Sequence, residues 1–187
     1  MTSWLRIASA IDRTNAWIGR SASWLALVMV LLGAFNAVTR YLGRYLGTNL
    51  SSNVYIEGQW YLFSLLFLLG TAYTFQCNQH VRVDVVYSRL SVRRQAWIDV
   101  LGTALFLLPF TITMIWLTWP SVRNSWHVQE TSPDPGGLLR YPLKAMILVC
   151  FLALTFQGIS LLIQRIAFLR GHLILPPSSD SEPGGMS

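Results

Sequence analysis

The amino-acid sequence predicts an all-α integral membrane protein with four transmembrane helices plus an N-terminal amphipathic interfacial helix. Of the 187 residues, 53% are hydrophobic and only 12% are charged, whereas soluble domains carry about 25% charged residues. Four stretches of 19 to 23 residues contain no formal charge, and about 20 apolar helical residues are enough to cross a bilayer core. Four such stretches in so short a chain favour membrane spans over the buried helices of a soluble protein.

These charge-free stretches define one membrane domain over residues 1–174. The expected spans are about 21–42, 57–79, 98–122 and 143–165. Pro109 lies midway along the third span and is expected to kink it, because proline removes one backbone hydrogen bond. Residues 175–187 have the Pro, Ser and Gly content of a disordered tail.

The first twenty residues do not resemble a signal peptide, because Asp12 and Arg13 interrupt them. Their apolar residues recur at spacings of three, four or seven, which predicts an amphipathic helix that lies along the cytoplasmic interface. A short soluble cap on the bundle is the alternative. The apolar residues concerned are Trp4, Leu5, Ala8, Ile11 and Ile18.

The flanking positive charges predict the orientation of the spans. If both termini lie on one side of the membrane, that side holds nine of the fourteen Lys and Arg residues, and the other side holds five. Since positive residues accumulate on the cytoplasmic side, we expect both termini to be cytoplasmic. The arginines are scattered at span ends and do not form one face, which argues against nucleic acid as a partner.

The four charge-free stretches offer no group that could handle an ion or a proton. Ionisable groups inside a membrane usually mark such sites, and these stretches contain only Ser, Thr, Gln and Asn as polar residues. Asn36, Ser64, Thr71 and Ser160 are interpreted as helix contacts. Glu57 lies at the outer edge of the second span, where we expect contact with a partner, a lipid headgroup or a donor from a loop.

No cofactor, metal or catalytic residue is predicted, and the protein is not expected to be an enzyme. All three histidines lie outside the spans, which disfavours axial ligation of a haem. Cys77 and Cys150 are not in a metal-binding spacing. Their expected depths in the membrane differ by roughly 20 Å, so we predict two free thiols.

A dense polar patch follows the second span. His80, Arg82 and Asp84 alternate with valines, which indicates an extended or tightly turned exit from the membrane, or a helix that continues. The simplest interpretation is an interfacial anchor in which Arg82 binds lipid phosphate or pairs with Asp84.

The stretch from Ile56 to Gly102 resembles the small, DctQ-like membrane subunit of tripartite ATP-independent periplasmic (TRAP) transporters. The resemblance is carried by an acidic residue opening the second span, a glycine within it, a His-x-Arg-x-Asp exit and a basic loop. In this chain these are Glu57, Gly70, His80, Arg82, Asp84, Arg93 and Arg94. "WPSVRNSW" and "SPDPGGLLRYPLKA" resemble the branch labelled for mannitol or chloroaromatic compounds. The similarity covers about residues 3–170.

This resemblance implies a small permease subunit that scaffolds a large, DctM-like subunit in the bacterial inner membrane. The large subunit carries the substrate and the sodium or proton sites, and a periplasmic solute-binding protein delivers a small organic anion. Membrane lipids are the remaining partners. The acidic and basic residues of the preceding paragraph are then candidates for subunit contact or anchoring.

The second outer loop is either an ordinary turn or a docking edge for the binding protein. The candidate residues of that docking edge are Glu130, Ser132, Pro133, Asp134, Gly136, Gly137, Arg140 and Lys144. Two other classes of function are considered. In the first, the chain is a subunit of another complex, either as a four-span membrane anchor or as an electron-transfer or enzyme subunit. In the second, it is a small exporter that acts alone.

Overall fold

A computed structural model of the protein describes residues 2–48, 52–77, 87 and 90–171. The described residues form five α-helices: α1 Thr2–Leu46, α2 Asn53–Gln76, α3 Val92–Gly102, α4 Leu108–His127 and α5 Tyr141–Leu169. A π-helical turn, Thr103–Leu107, joins α3 to α4. The predicted disordered tail, 175–187, lies outside the described residues.

Three helical segments of the described chain are long and apolar enough to cross a membrane: α1, the continuous rod from Val92 to His127, and α5. The second predicted span also forms a helix, α2, but it is not among the three. Tyrosines, threonines and glutamines lower its mean hydropathy. The structure thus agrees with an all-helical membrane protein and identifies three of the four expected spans by length and composition.

Helix α1 is one uninterrupted helix of 45 residues. The break that we expected near residue 20, between an interfacial helix and the first span, is absent. Its buried residues Ala8, Asn15, Ala22, Asn36 and Gly43 are separated by seven residues or a multiple of seven. A seven-residue repeat keeps one stripe of a helix against its neighbours, so both halves of α1 pack with the same face.

Helix α5 is the central element, because it packs against α1, α2, α3, the π-turn and α4. Apart from two leucines, Leu148 and Leu154, the side chains buried around it are mostly small or polar, and the largest fully buried ones are Thr111, Ser125 and Ser160. Large apolar side chains face outward instead, among them Trp24, with 68% of its surface exposed. A water-soluble protein has the opposite arrangement, whereas membrane helices approach closely through small residues.

The π-turn lies where Pro109 would disturb a regular helix. Proline lacks a backbone N–H, and its ring collides with the carbonyl four residues earlier, here that of Leu105. A π-turn widens the helix locally and ends next to Leu108 and Pro109. On α5, Gly158 accommodates the bulge: a β-carbon there would lie 3.0 Å from Leu107 Cδ2.

Both cysteines are free thiols, which confirms the prediction. Cys77 is exposed at the end of α2, and Cys150 is buried in α5. Cys150 belongs to the small apolar core, in which it packs with Ala72 and Leu154.

Candidate functional site: a hairpin clamped onto the helix bundle

The connection between α4 and α5 folds as a tight hairpin, residues 130–140. An isolated antiparallel bridge joins Thr131 and Leu139. Ser132 N–H donates to Leu138 O at 2.9 Å, and Arg140 N–H donates to Glu130 O at 2.8 Å. These bonds satisfy the backbone of the connection and hold the start of α5 against the end of α4.

Two adjacent glycines make the turn of the hairpin possible. Gly136 has a φ of 71°, a left-handed conformation that residues with a β-carbon rarely adopt. At Gly137 the constraint is space, because a β-carbon would lie 2.4 Å from Ser132 Cβ and 2.9 Å from Glu57 Oε2. The Gly-Gly pair therefore brings the turn close to the carboxylate of Glu57.

Glu57 joins the hairpin to the first turns of α2 by hydrogen bonds. Its carboxylate is buried, and accepts hydrogen bonds from the Ser132 hydroxyl and, at 2.6 Å, from Leu138 N–H. The side chain of Asn53, at the start of α2, adds a long bond to Pro135 O, at 3.5 Å. Of the three contacts expected for Glu57, the structure contains the one with loop donors.

Glu130 links the hairpin to both flanking helices. Its carboxylate forms an ion pair with Lys144 of α5 and accepts a 2.7 Å hydrogen bond from Ser125 of α4. The Lys144 ammonium, followed by the Ser125 hydroxyl, lowers the pKa of Glu130 below its ordinary value of 4.5. Glu130 thus acts as a charged brace whose partners favour its ionised form.

The docking candidates divide into two groups in the structure. One group holds the hairpin in place through contacts within this chain: Ser132, Gly137, Glu130 and Lys144, together with Glu57, which was a candidate for subunit contact. Pro133, Asp134 and Gly136 are exposed at the tip of the turn. Arg140 occupies the position just before α5. Among the docking candidates, only the residues at the tip are therefore exposed.

A second charged contact lies at the opposite end of the bundle, and sequence reasoning did not identify it. Arg165 Nη2 lies 3.0 Å from Asp99 Oδ2, and the Tyr87 hydroxyl donates to the same carboxylate at 3.0–3.1 Å. Asp99 is only 8% exposed. Asp99 directly precedes the third charge-free stretch, and this position next to a span was the one feature of the sequence that could have marked it as a contact residue.

A third contact joins the N-terminal part of α1 to α5. The Asp12 carboxylate accepts hydrogen bonds from Gln157 at 2.8 Å, Ser160 at 2.7 Å and Gln164 at 2.6 Å. Asn15 Nδ2 donates to Gln157 Oε1 at 2.6 Å. Ser160 is completely buried, so its expected role in a helix contact agrees with the structure, although its partner was not foreseen.

Five of the candidates for subunit contact lie at the end of the bundle opposite the hairpin in the sequence-based prediction. Of these, Arg93 and Arg94 are exposed on the first turn of α3. His80, Arg82 and Asp84 lie outside the described residues. Within the described ranges, no group of three metal-ligating side chains occurs. The carboxylates that the structure does bring into the bundle are held by donors of the same chain.

The apolar helices, their outward-facing large side chains and the polar contacts between them define a multi-pass membrane protein. Over residues 29–168 the chain matches the family described as "Tripartite ATP-independent periplasmic transporters, DctQ component". The chain belongs to this family and is a small permease component of a TRAP transporter of the inner membrane. No match was found among curated proteins or among solved structures.

Proposed function

We propose that this chain is a scaffold for the large permease subunit during sodium- or proton-driven, binding-protein-dependent uptake of a small organic anion. The mannitol or chloroaromatic branch of the family and a cytoplasmic location of both termini are parts of this proposal. Family membership supports the division into subunits. In this assembly the small subunit contributes packing surface, and the large subunit contributes the transport site.

The observation that carries the proposal is the state of the carboxylates that reach into the bundle. Asp12 and Glu57 each accept at least two hydrogen bonds from their own chain. Asp99 accepts the hydroxyl hydrogen of Tyr87 and pairs with Arg165. An ion-coupling carboxylate has to exchange such partners for its ion during transport. Carboxylates that hold helices and loops of one chain together are better suited to a rigid scaffold subunit.

The test compares the isolated chain with the assembled transporter in liposomes. We expect the isolated chain to move no solute when a sodium or proton gradient is imposed, and to co-purify with its large subunit as a one-to-one pair. Transport is expected only when the large subunit and the binding protein are both present. Solute uptake by the small chain alone would contradict the proposal and favour an exporter that acts alone.

A further inference from the structure

A groove of about 480 Å³ opens between the last two turns of α4 and the first two turns of α5. Its floor and walls are apolar, formed by Val122, Ala145 and Leu148. Ala145 carries only a methyl group and therefore fills little of the space between the two helices. The T-shaped contact of Trp126 with Tyr141, with ring centroids 4.7 Å apart, bounds the groove on the hairpin side.

The polar groups that line the groove favour an anion. Trp119, Arg123 and Trp126 carry hydrogen-bond donors and no acceptors, and His127 can also donate. Within the described part of the chain, no carboxylate lines the groove. The nearest acidic residue along the chain, Glu130, is already paired with Lys144. The groove therefore presents one fixed positive charge and two indole N–H groups without a compensating negative charge.

These donors are spaced so that they converge on one face of α4. Trp119, Arg123 and Trp126 are four and three residues apart, which places them on the same side of a helix. Trp119 and Trp126 are 58% and 48% exposed, so their rings extend from the protein surface. Arg123 is the first charged residue after the charge-free stretch that ends at Val122, and tryptophan with arginine at such a boundary is typical of the headgroup layer.

We propose that this groove binds a phospholipid with a negatively charged headgroup. The phosphate accepts hydrogen bonds from the Arg123 guanidinium and the indole N–H groups, and the upper part of an acyl chain packs against Val122 and Leu148. A guanidinium is well suited to phosphate because its fork of donors matches the phosphate oxygens. A free phosphate would satisfy the donors but would leave the apolar floor uncovered.

The experiment measures lipid binding to the purified complex of the small and large subunits by native mass spectrometry. Arg123→Gln removes the charge, and Ala145→Phe fills the groove without changing any charge. Each variant is expected to weaken binding of phosphatidylglycerol about tenfold, the effect of losing roughly one charge-assisted contact. The matched controls are Arg44→Gln and Ala34→Phe, both at exposed positions of α1, and these are expected to bind as the unchanged protein does.

Three results would overturn the proposal. One is equal phosphatidylglycerol binding by Arg123→Gln, Ala145→Phe and their controls. The second is displacement of the lipid by an equal concentration of inorganic phosphate, since the groove would then be a site for soluble anions. The third is loss of the large subunit from Arg123→Gln with lipid affinity unchanged, which would make the groove a protein contact.

Discussion

At the scale of single residues, charge in this chain is used to hold helices and the hairpin together. Glu57 shows how far sequence reasoning extends: its position before a charge-free stretch predicted a contact at the membrane boundary, and loop donors were among the expected partners. The identity of those donors could not be predicted, because Ser132 and Leu138 lie 75 and 81 residues further along the chain. The Gly-Gly pair that allows this approach was expected to lie in an ordinary turn or a docking edge, and its contact with Glu57 was not foreseen.

Glu130 gives the hairpin a dependence on pH. Its pKa is lowered in the folded protein, so the stability that it contributes is present above its ordinary pKa of 4.5 and is lost as the pH falls through the lower folded value. We expect the difference in thermal unfolding midpoint between the unchanged protein and Glu130→Gln to be largest near pH 6 and to shrink below pH 4.5. Unfolding in detergent at a series of pH values measures this difference.

The matched variant for this prediction is Lys144→Gln, which removes the largest cause of the lowered pKa. In that background the folded pKa lies closer to 4.5, so the loss of stability on acidification is expected to be smaller and to be complete at a higher pH. A difference between the unchanged protein and Glu130→Gln that stays constant from pH 6 to pH 3.5 would show that this carboxylate does not brace the hairpin.

At the scale of elements, the charge-free stretches of the sequence located the helices better than they located the helix ends. The charge-free stretches correspond to α1, α2, the rod and α5, but the expected break after residue 20 is absent. The residues that suggested a surface helix include Ala8, which belongs to the buried stripe of α1. A seven-residue pattern predicts an apolar face equally well for a lipid surface or for a neighbouring helix, so this choice depended on tertiary contacts.

The contact of Asp12 with α5 is predicted to fasten the N-terminal part of α1. Asp12→Leu leaves the donors of Gln157, Ser160 and Gln164 without this acceptor, and we expect a loss of about 1–3 kcal/mol in the free energy of unfolding. Arg13→Leu is the control, because Arg13 is the exposed next residue. Unfolding in detergent compares the two variants, and an equal effect of both would assign the loss to charge or helix propensity.

At the scale of the whole molecule, the distribution of polarity identified the class of protein, and a few motifs identified the family. The contacts that organise the bundle were less accessible to prediction. Sequence reasoning did not single out Asp99 and used Arg165 only as one of the positive charges that predict orientation, although the two residues form an ion pair. Pairs of this kind depend on which helices become neighbours, and four helices with similar apolar surfaces allow many arrangements.

The proposed assembly predicts that the tip of the hairpin affects delivery of the substrate. Pro133→Arg places a long charged side chain at the exposed tip, and we expect the concentration of binding protein that gives half-maximal uptake to rise about tenfold, as for the loss of one well-formed contact. Co-purification with the large subunit should stay unchanged. Uptake into liposomes at varied concentrations of binding protein measures the effect.

Asn124→Arg is the control for this experiment, since it adds the same charge at an exposed position of α4 that lies outside the hairpin. Equal uptake curves for Pro133→Arg and the unchanged protein would exclude the tip from docking. They would leave the scaffold proposal intact, because that proposal is tested by the activity of the isolated chain.

The length of α1 restricts how the subunit can sit in a bilayer. Its 45 residues measure about 67 Å, against about 45 Å for a bilayer with its headgroups. If the helix stood perpendicular to the membrane with Leu46 at one surface, Trp4 would lie roughly 20 Å into the water on the other side. Trp4 is 63% exposed, and an exposed tryptophan favours the membrane interface over water. A strong tilt of α1 keeps the Trp4 ring at the membrane surface. A tilted helix also occupies a larger area of the membrane plane than its cross-section.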